Sequence, residues 1–455
     1  MWNTMKWTKY FEIMLFRILR TILERFENDA EYHFVDTKME ITTGRNFDIP
    51  SNPETDFKSR DVIFSWIQGR GLEALAGHYH WLERSHLLTG SEKERILSRI
   101  KTMIEIVLVK MESLRSLNNG RLPFIMTQKG EALSMDSNGK RVFSDSFDTK
   151  MPANFSDLFY AKGLAAAGSL LNDSIAITEA KTLLRMAVLD IENNRFRSDQ
   201  ISFDPKNKPS INPKKRQQGP IMIAIGALAL FIELFREKEW VLAGKNFSNH
   251  ILKHHVNIGQ WNEVLPNVLV EAIDEFGAPW IEDDGKIVCD PGHSNEFVGL
   301  SAKFAINTVK AGFDNPFDQT ISRRLFDILS TACEYGWNNE VGGICKTFDA
   351  RFGFPINSDM PWWPLPETIR AASLLSDIPE INFDEKDKTA FLKIIDKCAW
   401  ALKNNFVNEK VHFMAYQTLS AKGVPLTTIP ATPDADPGYH TGLSLIDYIS
   451  SGILT

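Results

Sequence analysis

Cysteine is scarce in this sequence, with four among 455 residues. Cys289, Cys333, Cys345 and Cys398 include no C-x-x-C spacing, so a disulfide scaffold, a zinc knuckle and a dithiol redox motif all lack their framework. Such usage fits a reducing compartment, and a cytoplasmic location is expected. No basic run or Lys/Arg-rich arm stands out. With 51 basic against 58 acidic side chains and a net charge of −7, nucleic acid is not an expected partner. Long hydrophobic runs are missing too. The most apolar, Ile221 to Ile232, is about 12 residues and too short to span a bilayer, so no membrane span is expected. No Gly/Ser-rich or Pro-rich linker divides the chain, and no short-period repeat or low-complexity tract is evident, so residues 1–455 read as one domain. The phosphate loop G-x-x-x-x-G-K, the nucleophile elbow G-x-S-x-G and the zinc motif H-E-x-x-H are absent.

What is present is ordinary globular material: 43% hydrophobic and 24% charged residues, which argues against disorder. Helical periodicity recurs along the whole chain. At the amino terminus Phe11, Met14, Leu15, Ile18, Leu19, Ile22, Leu23 and Phe26 form one stripe, with Glu12, Arg17, Arg20, Glu24 and Arg25 opposite. These charges break any secretory core, so residues 1–26 read as an amphipathic helix packed on the protein's own core, with peripheral membrane contact as the other reading. The remaining helices are expected at 61–88, 91–117, 156–172, 175–193, 219–236, 239–256, 292–311, 318–336, 362–377, 387–405 and 438–452, after a first at 8–26. Connections alternate between short ones and long, turn-rich ones at 27–60, 118–155, 257–291, 337–361 and 406–437. The long ones contain short strand-like pieces such as Val411 to Thr418 and Ile344 to Phe348. A run of helices without intervening strands does not suggest a Rossmann-type sheet. The expected fold is all-α, a closed ring of six helical hairpins with short β-hairpins in the long loops of one face, where a pocket can form.

Five places carry candidate chemistry. In Asp290-Pro291-Gly292-His293-Ser294-Asn295-Glu296, His293 and Glu296 are three apart and share one face of a first helical turn. A carboxylate there can orient the imidazole for proton transfer; a capping turn with a surface histidine is the plainer reading of the spacing alone. In Pro361-Trp362-Trp363-Pro364-Leu365-Pro366-Glu367, the two Trp are either core or flat apolar faces for sugar C–H groups, and Glu367 either suits the helix dipole or serves catalysis. In Trp66-Ile67-Gln68-Gly69-Arg70, the Arg sits among apolar neighbours; it is either on the solvated face or aimed into a pocket, where it would stabilise an oxyanion. Asp436-Pro437-Gly438-Tyr439-His440-Thr441-Gly442 follows a loop with Pro430 and Pro433 and opens the last helix, where a lone histidine is most often structural. His250 and His254, four apart beside His255, have metal-pair spacing but no third ligand, and a solvated helix end is the better reading.

Taken in order, Trp66-Ile67-Gln68-Gly69-Arg70, Pro291-Gly292-His293-x-x-Glu296, Trp362-Trp363-Pro364-x-x-Glu367 and Tyr439-His440 resemble the N-acylglucosamine 2-epimerase superfamily. Gly219-Pro220-Ile221-Met222 resembles that family's sixth-helix region, and the likeness runs from roughly residue 60 to 450. The resemblance implies an (α/α)6 barrel, in agreement with the helices read above. It implies an isomerase that needs no cofactor and no metal, acting on a small sugar. The reaction it implies is interconversion of C2 epimers, N-acylglucosamine and N-acylmannosamine or a related aldose, through a cis-enediolate. It further implies that His293 and His440 are the two acid/base groups and that Arg70 binds the carbonyl region. Glu296 and Glu367 would orient the histidines or hold substrate, and Trp362 and Trp363 would line the sugar site. A homodimer is compatible with the family; a nucleotide effector has no recognisable motif here.

The chain also departs from the family. Gly299 stands where a large aromatic is common, which suggests a wider pocket. Leu365 replaces a frequent His, and Thr441-Gly442-Leu443 follows His440 without the usual Pro and Arg. Aldose–ketose isomerisation on the same site is the first alternative. A glycoside hydrolase using Glu296 and Glu367 is the second, and it requires that neither carboxylate be tied to a histidine. A carbohydrate-binding barrel without catalysis is the third.

Overall fold

The apolar stripes of the sequence become twelve α-helices in a computed structural model that describes residues 4–47, 57–136, 138–144, 151–198, 214–426 and 436–454. They are α1 (Thr4–Glu27), α2 (Ser65–Arg84), α3 (Gly90–Leu117), α4 (Phe155–Leu171), α5 (Ser174–Glu192), α6 (Gly219–Phe235), α7 (Lys238–His254), α8 (Pro291–Lys310), α9 (Gln319–Gly336), α10 (Pro364–Leu375), α11 (Glu385–Ala401) and α12 (Ser444–Ile449). Composition sorts them into two rings. α4 and α6 bury nearly every residue over most of their length, as inner walls must, whereas α7 and α9 bury a single stripe and form part of the outer ring. The inner helices pack in sequence, α2 on α4, α4 on α6, α6 on α8, α8 on α10 and α10 on α12, and the turn before α12 returns to α2. The architecture is an (α/α)6 barrel. A main hydrophobic cluster runs through both rings, and a smaller one, including Val264, Val270, Ile287, Cys345 and Phe348, sits under the long loops.

α1 belongs to that core. Phe11, Met14, Leu15, Leu19, Ile22 and Leu23 are at most 1% exposed. Phe11 meets Tyr448 of α12 edge-on at 5.6 Å, and the Trp7 indole N–H donates to Asp396 of α11 at 2.7 Å. The apolar face that a membrane surface would need is therefore used internally. Among the described residues no helix is long and apolar enough to cross a membrane.

Each inner helix is joined to the next outer helix by a short turn, and each outer helix returns through a long connection. The described parts of the long connections thus lie on one face, where the inner helices begin. Short antiparallel strands stiffen them: Val288–Cys289 pairs with Thr347–Asp349, Arg216–Gln217 with Ala272–Ile273, and Met360–Pro361 with Thr418–Leu419. The two strand-like pieces read from sequence are shorter than expected. Ile344 makes only an isolated bridge to Trp337 before the strand Thr347–Asp349. Val411 to Thr418 is broken by His412 and Phe413 at φ 57° and 61°, and its halves pair with different partners. Pro430 and Pro433 lie outside the described residues.

One contact sets the barrel's geometry beside the site. A Cβ on Gly163 of α4 would lie 2.3 Å from the Gly69 carbonyl oxygen, and one on Gly69 of α2 would lie 2.6 Å from that of Phe159. The two helices touch backbone to backbone because both positions are glycine. That closeness carries Arg70, the next residue of α2, against Phe159 of α4.

Candidate active site

Residues beside the long loops end up in the first turns of the inner helices, on one face. At α8, Asp290 follows the strand Val288–Cys289 and caps the helix, accepting from the Gly292 and His293 N–H groups at 2.9 and 3.2 Å. Pro291 fits the first helical position because it has no N–H to leave unpaired. The His293 ring turns toward the loop. Its Nδ1 lies 3.0 Å from Glu271 and 3.5 Å from the second oxygen of Asp290. A carboxylate only accepts, so the Nδ1 hydrogen faces Glu271 and Nε2 is left for a ligand. Gln218, just before α6, donates to the other Glu271 oxygen at 3.2 Å, and Lys346 pairs with Asp290 at 2.6 Å. Burial disfavours the imidazolium, but the charges of Asp290 and Glu271 outweigh it and raise the His293 pKa to about 9.

At α12 the helix begins with a wide π-helical turn, Tyr439–Leu443. Such turns recur at functional sites. His440, in that turn and buried, places Nδ1 2.9 Å from Oε1 of Glu367 in the first turn of α10. The other oxygen, Oε2, accepts from Arg370 at 2.7 Å. Burial alone would raise the Glu367 pKa; Arg370 and the His440 hydrogen bond lower it below its ordinary value.

Glu296 does not orient His293. Its side chain turns inward and is buried, while the carboxylates of Asp290 and Glu271 reach the imidazole from the loop side. Burial and the neighbouring Glu367 charge raise the Glu296 pKa, against the opposing pull of His440, His293 and Arg70. This one carboxyl therefore feels both histidines, the arginine and the second carboxylate. Trp363 stands between the same groups, with its ring 5.4 Å from that of His293 and 5.4 Å from that of His440. Trp362 is half-buried, and its indole N–H donates to Thr441 at 3.2 Å, tying the starts of α10 and α12 together.

Arg70 is held without an ion-pair partner among the described residues. Its guanidinium lies 4.3, 4.2 and 4.7 Å from the rings of Trp66, Phe159 and Tyr439. Among the described residues no carboxylate or carbonyl pairs with it, and its buried Nε has no hydrogen-bond partner. Burial lowers its pKa, more than the Tyr439 and Glu296 charges offset. Such a cation keeps its donors for something that enters the site.

The spacing of the sequence did not point to Glu271, Lys346, Arg370 or the Tyr439 face. Glu271 lay in a long loop, a weak signal for function. Arg370 was detectable as the i+3 partner of Glu367. Gly299 does not widen the pocket: a Cβ there would meet Arg370 at 3.2 Å and the Ala371 backbone at 3.3 Å, so the glycine lets α8 and α10 approach. His250, His254 and His255 cluster at the carboxy end of α7 in the outer ring; that end is not solvated as expected, since His255 is fully buried, and among the described residues the three do not form a metal-ligating group. The one set there with the composition to hold an ion is Glu296, Glu367 and His440, with ligand atoms within 4.8 Å of one another. Both Glu367 oxygens are already committed to His440 and Arg370.

The family profile of N-acylglucosamine 2-epimerase (GlcNAc 2-epimerase) matches residues 154–441, more than half of the chain. The chain belongs to the N-acylglucosamine 2-epimerase family. The family places it among carbohydrate isomerases. Within the family match lie His293, Glu296, Trp362, Trp363, Glu367 and His440, while Arg70 lies before it. No curated protein matches the chain by sequence. Solved structures share the barrel. Cellobiose 2-epimerase from Bacillus thermoamylovorans B4167 is 13% identical, with TM-score 0.61 over 94% of this chain and 99% of that one. A sugar epimerase from a ruminal bacterium is 13% identical, with TM-score 0.63 over 96% and 99%. A D-mannose isomerase is 16% identical, with TM-score 0.59 over 95% and 96%. At these identities the likeness is one of fold.

Proposed function

We propose that this enzyme is a sugar 2-epimerase that moves the C2 proton of a ring-opened aldose between two histidines. The observation that carries the reading is geometric: two carboxylate-tethered histidines, His293 and His440, stand on either side of the Trp363 ring, each at 5.4 Å. The C2–H of an open aldose is made acidic by the adjacent carbonyl. His440 removes it through Nε2, since Nδ1 is tied to Glu367. Arg70 meets the oxygen that becomes negative in the cis-enediolate. His293 returns a proton from the other face and inverts C2. The positive ends of the inner helices add to the same stabilisation. Glu296, buried in the barrel interior, would hold a sugar hydroxyl, and Trp362 and Trp363 offer the apolar faces of the site.

Return of the proton to C1 in place of C2 would give the ketose, and the same groups would serve. The hydrolase alternative is disfavoured by Glu367, whose oxygens are tied to a histidine and an arginine and are not free to attack or to activate water. The deciding experiment is proton exchange. The enzyme is incubated in heavy water with N-acetylmannosamine, mannose, glucose or cellobiose, and deuterium at C2 is followed by NMR. At least one sugar should exchange, and His293→Gln and His440→Gln should each slow exchange by about 10²–10⁴-fold. No exchange with any of these sugars, although they bind, would reject the chemistry for them.

The pH dependence follows from the His293 environment. A raised pKa keeps the ring protonated until pH rises through about 9. In the direction begun by His440 as base, kcat/KM should hold a plateau and fall above that pH. Glu271→Gln removes one of the two carboxylates responsible, so the falling limb should move down toward about 6.5, the ordinary histidine value. An unmoved limb in a folded variant would show that another group sets it.

A further inference from the structure

α10 and α12 are joined by two rungs. The first is His440 with Glu367. The second lies two turns deeper: Arg370 Nε stands 3.0 Å from Asp447, a charge–charge contact that is not an aligned hydrogen bond. Asp447 is seven residues after His440, and Arg370 is three after Glu367, so the rungs share the facing sides of both helices. Lys303 of α8 completes the deeper rung, 2.9 and 3.1 Å from the two Asp447 oxygens. The links are continuous from His440 through Glu367, Arg370 and Asp447 to Lys303. Arg370 and Glu367 are buried, whereas Asp447 and Lys303 border a cavity of about 200 Å³ at the far end of the barrel. None of His293, His440, Arg70, Glu296 or Glu367 lines that cavity.

We infer that Asp447 is a positioning residue for His440, acting through Arg370 and Glu367 from the far end of the barrel. Glu367 has one oxygen for the imidazole and one for Arg370. Its plane is therefore set by where the guanidinium fork lies. The guanidinium bonds Glu367 through Nη1, while the Asp447 charge attracts its Nε side, so Asp447 helps to set where the fork lies. Without that anchor the carboxylate is free to tilt, and His440 Nε2 no longer holds its line to the substrate carbon. Misplacement on the scale of 1 Å is enough to slow a reaction by about 10²-fold. Asp447 lies too deep to touch a sugar held by Arg70 and the two tryptophans, so binding should be spared.

The inference rests on the two-histidine reading, and its test has one arm that does not. Asp447→Asn keeps the side-chain volume and one acceptor while removing the charge. The expected result is a fall in kcat of about 10–100-fold, measured as C2 deuterium incorporation, with KM within about twofold. The second arm is the low-field imidazole N–H proton of each histidine in NMR, assigned with His293→Gln and His440→Gln. In Asp447→Asn the His440 line should shift or broaden away, while the His293 line, held by Glu271, stays in place. If the parent exchanges no proton with any sugar, the proposed reaction fails, yet this arm still reports on the positioning. Should Asp447→Asn lack a cooperative melt, Asp447→Asn/Lys303→Met, which removes one charge of each sign, carries both readouts. An unchanged His440 line and unchanged kcat in either folded variant would overturn the inference.

Discussion

Arg70→Met should lower kcat for C2 proton exchange by about 10²–10³-fold while leaving the melting temperature at or above that of the parent. The two halves of this expectation come from one arrangement. Trp66, Phe159 and Tyr439 surround the guanidinium, and no carboxylate among the described residues pairs with it directly. Taking a cation partly out of water without a partner works against folding, and ring contacts return part of that cost. Methionine fills a similar volume with no charge to desolvate. A residue kept for structure would show the reverse pattern, with stability and activity lost together. In the proposed reaction Arg70 is instead a group whose partner arrives with the substrate, as the negative oxygen of the enediolate. Thermal denaturation and exchange kinetics on the same preparation check both halves. A melting temperature well below the parent's would remove Arg70 from the proposed chemistry and make it a packing residue.

Gly163→Ala should destabilise the protein by about 3 kcal/mol, the upper part of the usual range for overpacking. The added methyl would sit 2.3 Å from the Gly69 carbonyl oxygen, a backbone atom that cannot rotate away. The helices α2 and α4 must then separate, and Phe159 moves off Arg70 as they do. A fall in denaturation midpoint and a rise in KM are expected together, since the cage and the barrel contact are the same place. A melting curve like the parent's would show that α2 and α4 do not meet as closely as the backbone distances state.

Much of this was legible one segment at a time. The stripe of Ile96, Ile100, Met103, Ile104, Val107, Leu108, Met111 and Leu114 predicts α3, and all eight are buried. Asp290-Pro291-Gly292 reads as a helix start, and Asp290 is the cap. The alternation of short and long connections placed the candidate residues on one face before any packing was known. Partners were not legible. His293 is bound by Glu271, 22 residues away, and His440 by Glu367, 73 residues away. The i+3 carboxylate that spacing offered to His293, Glu296, turns inward to the barrel interior. The glycine that suggested a wide pocket, Gly299, is instead a helix contact.

By itself, then, the order of residues determined the helices, their caps, their pairing into hairpins and the face on which the motifs stand, because each depends on neighbours within a turn or two. Closing the ring decided the rest: which carboxylate each histidine meets, the aromatic cage that leaves Arg70 unpaired, and the Asp447–Arg370 rung beneath the site. Those depend on how α2, α8, α10 and α12 lie against one another, and a contact between helices is set by packing across the barrel, which no local spacing encodes.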